Sequence, residues 1–138
     1  MTRYLLDTNV VSELHKPRPH GGVVNWVSGL QLDQIFLSAF TLGEIQREIE
    51  RTKENDPAKA EEIEQWADQL EQSANILPMN APCLRQWAKL MEGRPHHLAE
   101  DAMIAATALV HGLQIATRNV KDFATLGVET FNPFRSVS

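Results

Sequence analysis

Cysteine is nearly absent from this chain: Cys83 stands alone among 138 residues. An internal disulfide is therefore impossible, and nothing in the composition speaks for an oxidising compartment. Long apolar runs are missing as well. The opening Arg3-Tyr4-Leu5-Leu6-Asp7 becomes charged too soon for a secretion leader or a membrane span, so a cytoplasmic protein without membrane attachment is expected. Nor is there an excess of basic charge. Thirteen Lys and Arg face 18 Asp and Glu, a formal net charge of −5. That balance argues against a passive nucleic-acid-binding module, which ordinarily shows a basic surface. It argues less against an enzyme whose bound cations neutralise an acidic pocket and hold a substrate phosphate. A glycine-rich phosphate loop is also lacking, because Gly21-Gly22 has no flanking pattern of that kind. No serine, and not Cys83, sits in a nucleophile elbow. His96 and His97 are adjacent, so they diverge, and no partner has zinc-ligand spacing.

What the chain does contain is ordinary for a globular fold: 43% hydrophobic and 22% charged residues. Its length predicts one domain, residues 1–138, without repeats or linkers. Strand-like and helix-like segments alternate. Residues 3–7 predict a short buried strand, followed by a brief helix through Val10, Val11 and Leu14. Breakers make 16–22 a loop, and Val23, Val24, Val27 and Leu30 mark a second helix. Residues 35–38 read as a strand that passes into a helix carrying Leu42, Ile45 and Ile49. Asp56-Pro57 is a helix start, a capping side chain followed by proline, and Ile63, Trp66, Ala67, Leu70 and Ala74 recur at helical spacing. Residues 76–77 are a candidate strand. Asn80 and Pro82 open a helix with Leu84, Trp87, Ala88 and Met91. Another helix runs from about Leu98 to His111 and stops at Gly112, a residue suited to a left-handed cap. Strands at 114–117 and 128–131 complete the pattern. Strands separated by helices imply an α/β fold with a mainly parallel sheet covered on both faces. Trp26, Trp66 and Trp87 fit amphipathic helices and read as core or interface.

Five side chains stand where a strand ends or a helix begins: Asp7, Glu44, Asp101, Asn119 and Asp122. An α/β fold gathers such positions along one sheet edge, where oxygen ligands suit a hard cation such as Mg²⁺. Asp7 follows the first strand directly, and capping of the next helix competes evenly with a ligand role. Asp101 shares its helix side with Leu98, Ala105 and Ala108, at offsets of three, four and seven. That side packs inward, and a carboxylate there is costly unless a cation or donors satisfy it. Glu100 points about 100° away, toward water. Glu44, taken alone, reads more simply as a solvated glutamate of a first helical turn. Asn119 and Asp122 lie just after a strand and serve equally well as turn or cap residues.

Five segments in register carry a family resemblance. They are Leu5-Leu6-Asp7-Thr8-Asn9-Val10-Val11-Ser12-Glu13, Leu37-Ser38-Ala39-Phe40-Thr41-Leu42-Gly43-Glu44-Ile45, Glu100-Asp101-Ala102-Met103-Ile104-Ala105-Ala106-Thr107-Ala108, Ala116-Thr117-Arg118-Asn119-Val120-Lys121-Asp122-Phe123 and Phe131-Asn132-Pro133-Phe134. With them the chain resembles PIN-domain proteins, specifically the toxins of VapBC and FitAB type II toxin–antitoxin modules. The resemblance implies a three-layer α/β/α fold with a short parallel sheet, and a Mg²⁺- or Mn²⁺-dependent endoribonuclease. Asp7 and Asp101 match its principal metal ligands, Glu44 its third acidic residue, and Thr8, Asn9 and Thr117 its supporting polar positions. The chain departs at the fourth acidic position, where some relatives have Asp and this chain has Asn119, with Asp122 three residues on. An amide adds no charge, which bears on a second cation and keeps open a PIN-like module that binds RNA or protein without cutting. The resemblance further implies RNA as substrate, a small cognate antitoxin (VapB- or FitA-like) as partner, and a homodimer. A receiver-type signalling domain fits poorly, because its acids would be adjacent and a late Lys would stand at a strand end. Lys121 does not.

Overall fold

The computed structural model describes residues 1–135; the last three residues of the expected 1–138 domain, 136–138, lie outside the described residues. Among the described residues, five strands are interspersed with seven α-helices. They are β1 (Tyr4–Leu6), α1 (Thr8–His15), α2 (Gly21–Ser28), β2 (Ile35–Ser38), α3 (Ala39–Lys53), α4 (Pro57–Ser73), β3 (Ile76–Leu77), α5 (Ala81–Met91), α6 (Ala99–His111), β4 (Gln114–Ala116), α7 (Val120–Thr125) and β5 (Thr130–Phe131). Single 3₁₀ turns at Leu32–Gln34 and His96–Leu98 precede β2 and α6.

Successive side chains of a strand point to opposite faces, and each face of this sheet is covered. Leu5 and Ile115 join Ala102, Ile104, Ala105 and Phe123 of α6 and α7 on one side, with Trp87 of α5 packed against them. Leu6, Leu37 and Ala116 join Val10, Val11, Val23, Ile45, Ile49, Ala60 and Ala67 from α1 to α4 on the other. The result is the expected three-layer α/β/α sandwich. Leu5, Ile49, Ile104 and Ile115 are essentially inaccessible. Burial of each such side chain stabilises the fold by roughly 1.5–3 kcal/mol relative to exposure.

The strand order is β3-β2-β1-β4-β5, and every pairing is parallel. The chain winds outward from β1 through β2 to β3, then returns across the sheet to lay β4 beside β1. Winding direction therefore reverses between β1 and β4. The crevice at the carboxyl ends of those two strands is where open α/β sheets build their sites.

Local signals explain most boundaries. Asp56 accepts the Lys59 N–H, Asn80 accepts the Cys83 N–H, and Gly112 takes the left-handed conformation, at φ +67°. Strand β5 is only Thr130–Phe131 of the expected 128–131, α2 ends at Ser28 before Leu30, and two helices differ more from the reading of the sequence. Helix α2 begins at Gly21, inside the expected loop, because His20 Nδ1 accepts the Gly22 N–H at 3.1 Å and caps the helix. Helix α7 was not anticipated; its six residues are too few to show a period. No helix among the described residues is long and apolar enough to cross a membrane.

Candidate active site

Asp7 leaves β1 with its backbone N–H bonded to the Ala116 carbonyl of β4 at 2.9 Å, which seats it in the crevice between the two central strands. Its side chain does two things at once. Oδ1 accepts the Thr8 N–H at 2.8 Å and caps α1, while Oδ2 accepts Thr117 Oγ1–H at 2.7 Å and Asn9 Nδ2–H at 3.0 Å. The capping role and a place in the site are thus compatible. Asp7 is buried, 6% exposed. Burial raises its pKa, and the three donors pull it back only in part.

Glu44 lies in the second turn of α3, not free in solvent. Thr8 Oγ1–H donates to its Oε1 at 2.6 Å, and Thr8 is also within 3.1 Å of Thr41 Oγ1. Partial burial, followed by the negative charges of Glu100 and Asp7, raises the Glu44 pKa against the Thr8 hydrogen bond. The simple solvated reading of Glu44 gives way to a side chain joined to α1.

Asp101 stands in the first turn of α6, with Leu98, Ala105 and Ala108 buried on its side of the helix as the spacing required. Its pKa is raised to about 6, first by burial and then by the charges of Asp7, Asp122, Glu44 and Glu100. Asn119 and Asp122 stand together beside Asp101. The Asn119 amide donates to Asp101 Oδ2 at 3.1 Å and to Asp122 Oδ2 at 3.0 Å, while its backbone N–H donates to Thr117 Oγ1 at 2.8 Å. Thr117 is thereby shared between Asp7 and the start of α7. All five anticipated side chains come to one crevice: Thr8, Asn9 and Thr117 bond Asp7, Thr8 also bonds Glu44, and Asn119 bonds Asp101 and Asp122.

Two charged residues nearby were not anticipated. Arg47, one turn beyond Glu44 on α3, approaches Glu44 Oε2 at 3.8 Å and Glu100 Oε1 at 3.0 Å. Its signal was the i, i+3 spacing from Glu44. Glu13 is buried beside α1, 6% exposed, where Lys16 Nζ and the His20 N–H both donate to it at 2.9 Å and Arg118 lies 3.7 Å away. Those donors, Lys16 first, hold its carboxyl below the usual range. The Arg118 backbone N–H in turn donates to Asn9 Oδ1 at 3.3 Å, which links this strut to the crevice.

The donor set in the crevice is wholly oxygen, the chemistry a hard divalent cation selects. Among the described residues no three His, Cys, Asp or Glu side chains are grouped closely enough to hold a metal ion as they stand. Mg²⁺ keeps several waters and takes only a few protein carboxylates, so its binding does not require a preformed group of three. The charges of Asp7, Asp122 and Glu44 reach Asp101 and raise its pKa, and Arg47 is the adjoining cation.

An α/β/α sandwich with acids at the β1/β4 switch point defines a class, and a family model bears it out: residues 4–128 match the PIN domain. The chain belongs to the PIN-domain family. It is 34% identical to toxin FitB of Neisseria gonorrhoeae over 140 residues, covering 94% of this chain and 97% of that protein. It is 31% identical to the VapC ribonuclease Y4jK of Sinorhizobium fredii, over 94% of this chain and 96% of that one. The solved structure of FitAcB from Neisseria gonorrhoeae superposes with a TM-score of 0.79 at 34% identity, over 96% of this chain and 99% of that chain.

Proposed function

We propose that this protein is the toxin of a type II toxin–antitoxin module and a Mg²⁺-dependent endoribonuclease, with Mn²⁺ able to serve, that hydrolyses RNA phosphodiester bonds. The observation that carries the reading is the crevice itself: Asp7, Glu44, Asp101 and Asp122 crowd together at the switch point, and burial with mutual repulsion pushes Asp101 up to about 6. So much negative charge, balanced only in part by hydrogen-bond donors and Arg47, is costly in the protein alone and favourable around a cation. Asp7, Asp101, Glu44 and Asp122 are the residues that would hold the ion, which when bound supplies charge to a phosphodiester and acidifies water.

The chain's own groups then have separable tasks. Asp7 is fixed by three donors, so its carboxylate keeps one orientation. Thr8 orients one oxygen of Glu44 and leaves the other toward the crevice side that Arg47 shares. Asn119 holds Asp101 and Asp122 at a common distance without adding a fifth charge. The names of the FitB and VapC relatives, a toxin and a ribonuclease, support the same reading. A small antitoxin that presents a basic side chain to the acids, a homodimer and a cytoplasmic setting complete it.

The experiment is cleavage of total cellular RNA by antitoxin-free protein, with Mg²⁺, with Mn²⁺ and with EDTA, beside Asp7→Ala and Asp101→Ala. Discrete fragments that need metal and vanish in both variants are expected, with losses of two orders of magnitude or more. Cleavage that persists in EDTA or in Asp101→Ala would refute the assignment.

A further inference from the structure

A second cleft opens beside the crevice, between α2 and the edge strand β5. It has a volume of about 540 Å³ and is lined by Gly21, Asn25, Trp26, Phe131, Pro133 and Arg135, within the size range of small-ligand sites. Three features set it apart. Its wall is aromatic: Trp26 and Phe131 lie 5.1 Å apart, inclined by 31°, and both keep part of their surface open. Its polar groups are an amide and a guanidinium, Asn25 and Arg135, with no carboxylate among the lining residues. The cleft along α3 is different, since Glu44, Glu48 and Asp56 stand beside its Arg47 and Arg51. In a chain of net charge −5, a lining with a cation and no acid favours an anionic ligand.

Its position is the third feature. β5 pairs with β4, and the Thr117 N–H bonds the Phe131 carbonyl at 2.9 Å, while Thr117 Oγ1–H holds Asp7. Along the rim, Arg118 joins Asn9 to the ring of Phe134, whose centroid lies 3.9 Å from its guanidinium, and Phe134 follows Pro133 of the cleft. A chain of contacts, Asp7 to Asn9 to Arg118 to Phe134, thus leads from the acids toward the aromatic pocket, with guanidiniums at Arg118 and Arg135. Single-stranded RNA is recognised in that manner, by a cationic track with bases stacked on aromatic rings.

We propose that the α2/β5 cleft binds one unstacked nucleobase of the RNA strand, against Trp26 and Phe131, with Arg135 on an adjoining phosphate. The proposal rests on RNA as the substrate but not on its cleavage. Gly21 supplies a clean blocking variant, because a Cβ built there meets nothing within 4 Å and its backbone is not in the left-handed region. Gly22 would not serve, since its Cβ would come within 3.0 Å of the His20 ring.

The test uses a short single-stranded RNA oligonucleotide in EDTA, where no metal-dependent cutting occurs, with binding followed by anisotropy of a label on the RNA and by tryptophan emission. The wild-type emission is expected to quench on binding. Trp26→Phe, which keeps an aromatic wall, is expected to bind RNA but lose most of that quench. Gly21→Leu and Arg135→Ala are expected to bind roughly tenfold more weakly, and to raise KM in Mg²⁺ with kcat little changed. Unaltered RNA affinity in both variants overturns the proposal. So does a Gly21→Leu protein that binds RNA normally but captures its antitoxin poorly, which would make the cleft a protein-docking site. Binding and quenching without any cleavage in Mg²⁺ would refute the nuclease reading and leave the cleft assignment intact.

Discussion

Asn119 shows how much a single atom type decides in this crevice. Its side-chain NH₂ group donates to Asp101 and to Asp122, two acids that repel each other. Asn119→Asp exchanges that donor for a third acceptor between them. The metal-free variant is expected to be less stable at neutral pH by roughly 1–3 kcal/mol, the cost of leaving charged groups without their partner, and to regain more than the wild type does on adding Mg²⁺. Thermal melts with and without the ion check this; an unchanged metal-free melting temperature would show that the amide bridge has no energetic weight. Asp101 itself was legible in the sequence, because Leu98, Ala105 and Ala108 mark its side of α6 as inward-facing. Arg47 and Glu13 were not legible. Each looks like an ordinary solvated helix charge until the partners from other segments, Glu100 for one and His20 and Arg118 for the other, are brought alongside.

At the scale of elements, the sequence spoke most clearly where a cap or a breaker stood at a boundary. Gly112 is the sharpest case. It ends α6 at φ +67°, so β4 can begin two residues later and carry Thr117 to Asp7. No atom lies within 4 Å of a Cβ built there, so Gly112→Ala meets no steric clash and its penalty is purely conformational. A loss of about 1 kcal/mol is expected, read by urea denaturation, with RNA cleavage per folded molecule preserved. A loss several times larger would mean that Gly112 is packed rather than merely bent. Helix α7 and the early start of α2 were hidden for the opposite reason. One is too short for periodicity, and the other depends on an imidazole cap, His20 onto Gly22, that composition rules assign to a loop. The acids were less exposed to this uncertainty because they stand near element starts and ends, Asp7 just after β1 and Asp101 in the first turn of α6.

For the molecule as a whole, the crevice couples folding to pH and, on the proposed reading, to a cation. The unfolded aspartate releases its proton near 3.8 and folded Asp101 near 6, with burial and then the charges of Asp7, Asp122, Glu44 and Glu100 as causes. Across that window the folded state holds more protons than the unfolded one, so this group's contribution is complete below 3.8 and is lost as pH rises through about 6. Asp7 and Glu44 shift in the same direction. Glu13 acts oppositely, since its lowered pKa gives stability that is present above 4.5 and lost on acidification, outside most of the same window. Asp101→Asn removes the charge that the fold resists. In EDTA near neutral pH the variant is expected to be more stable than the wild type by about 1 kcal/mol, after discounting the shift for solvent screening at its partly open position. The advantage should fade toward about pH 4, where the wild-type carboxyl is protonated as well. Saturating Mg²⁺ should reverse the order at neutral pH, because an ion that binds only the folded state adds about 2.7 kcal/mol at a hundred times its dissociation constant and the variant has lost a ligand. A variant that melts below the wild type in EDTA at neutral pH would instead make Asp101 a structural strut, and the crowded acids would no longer argue for a cation.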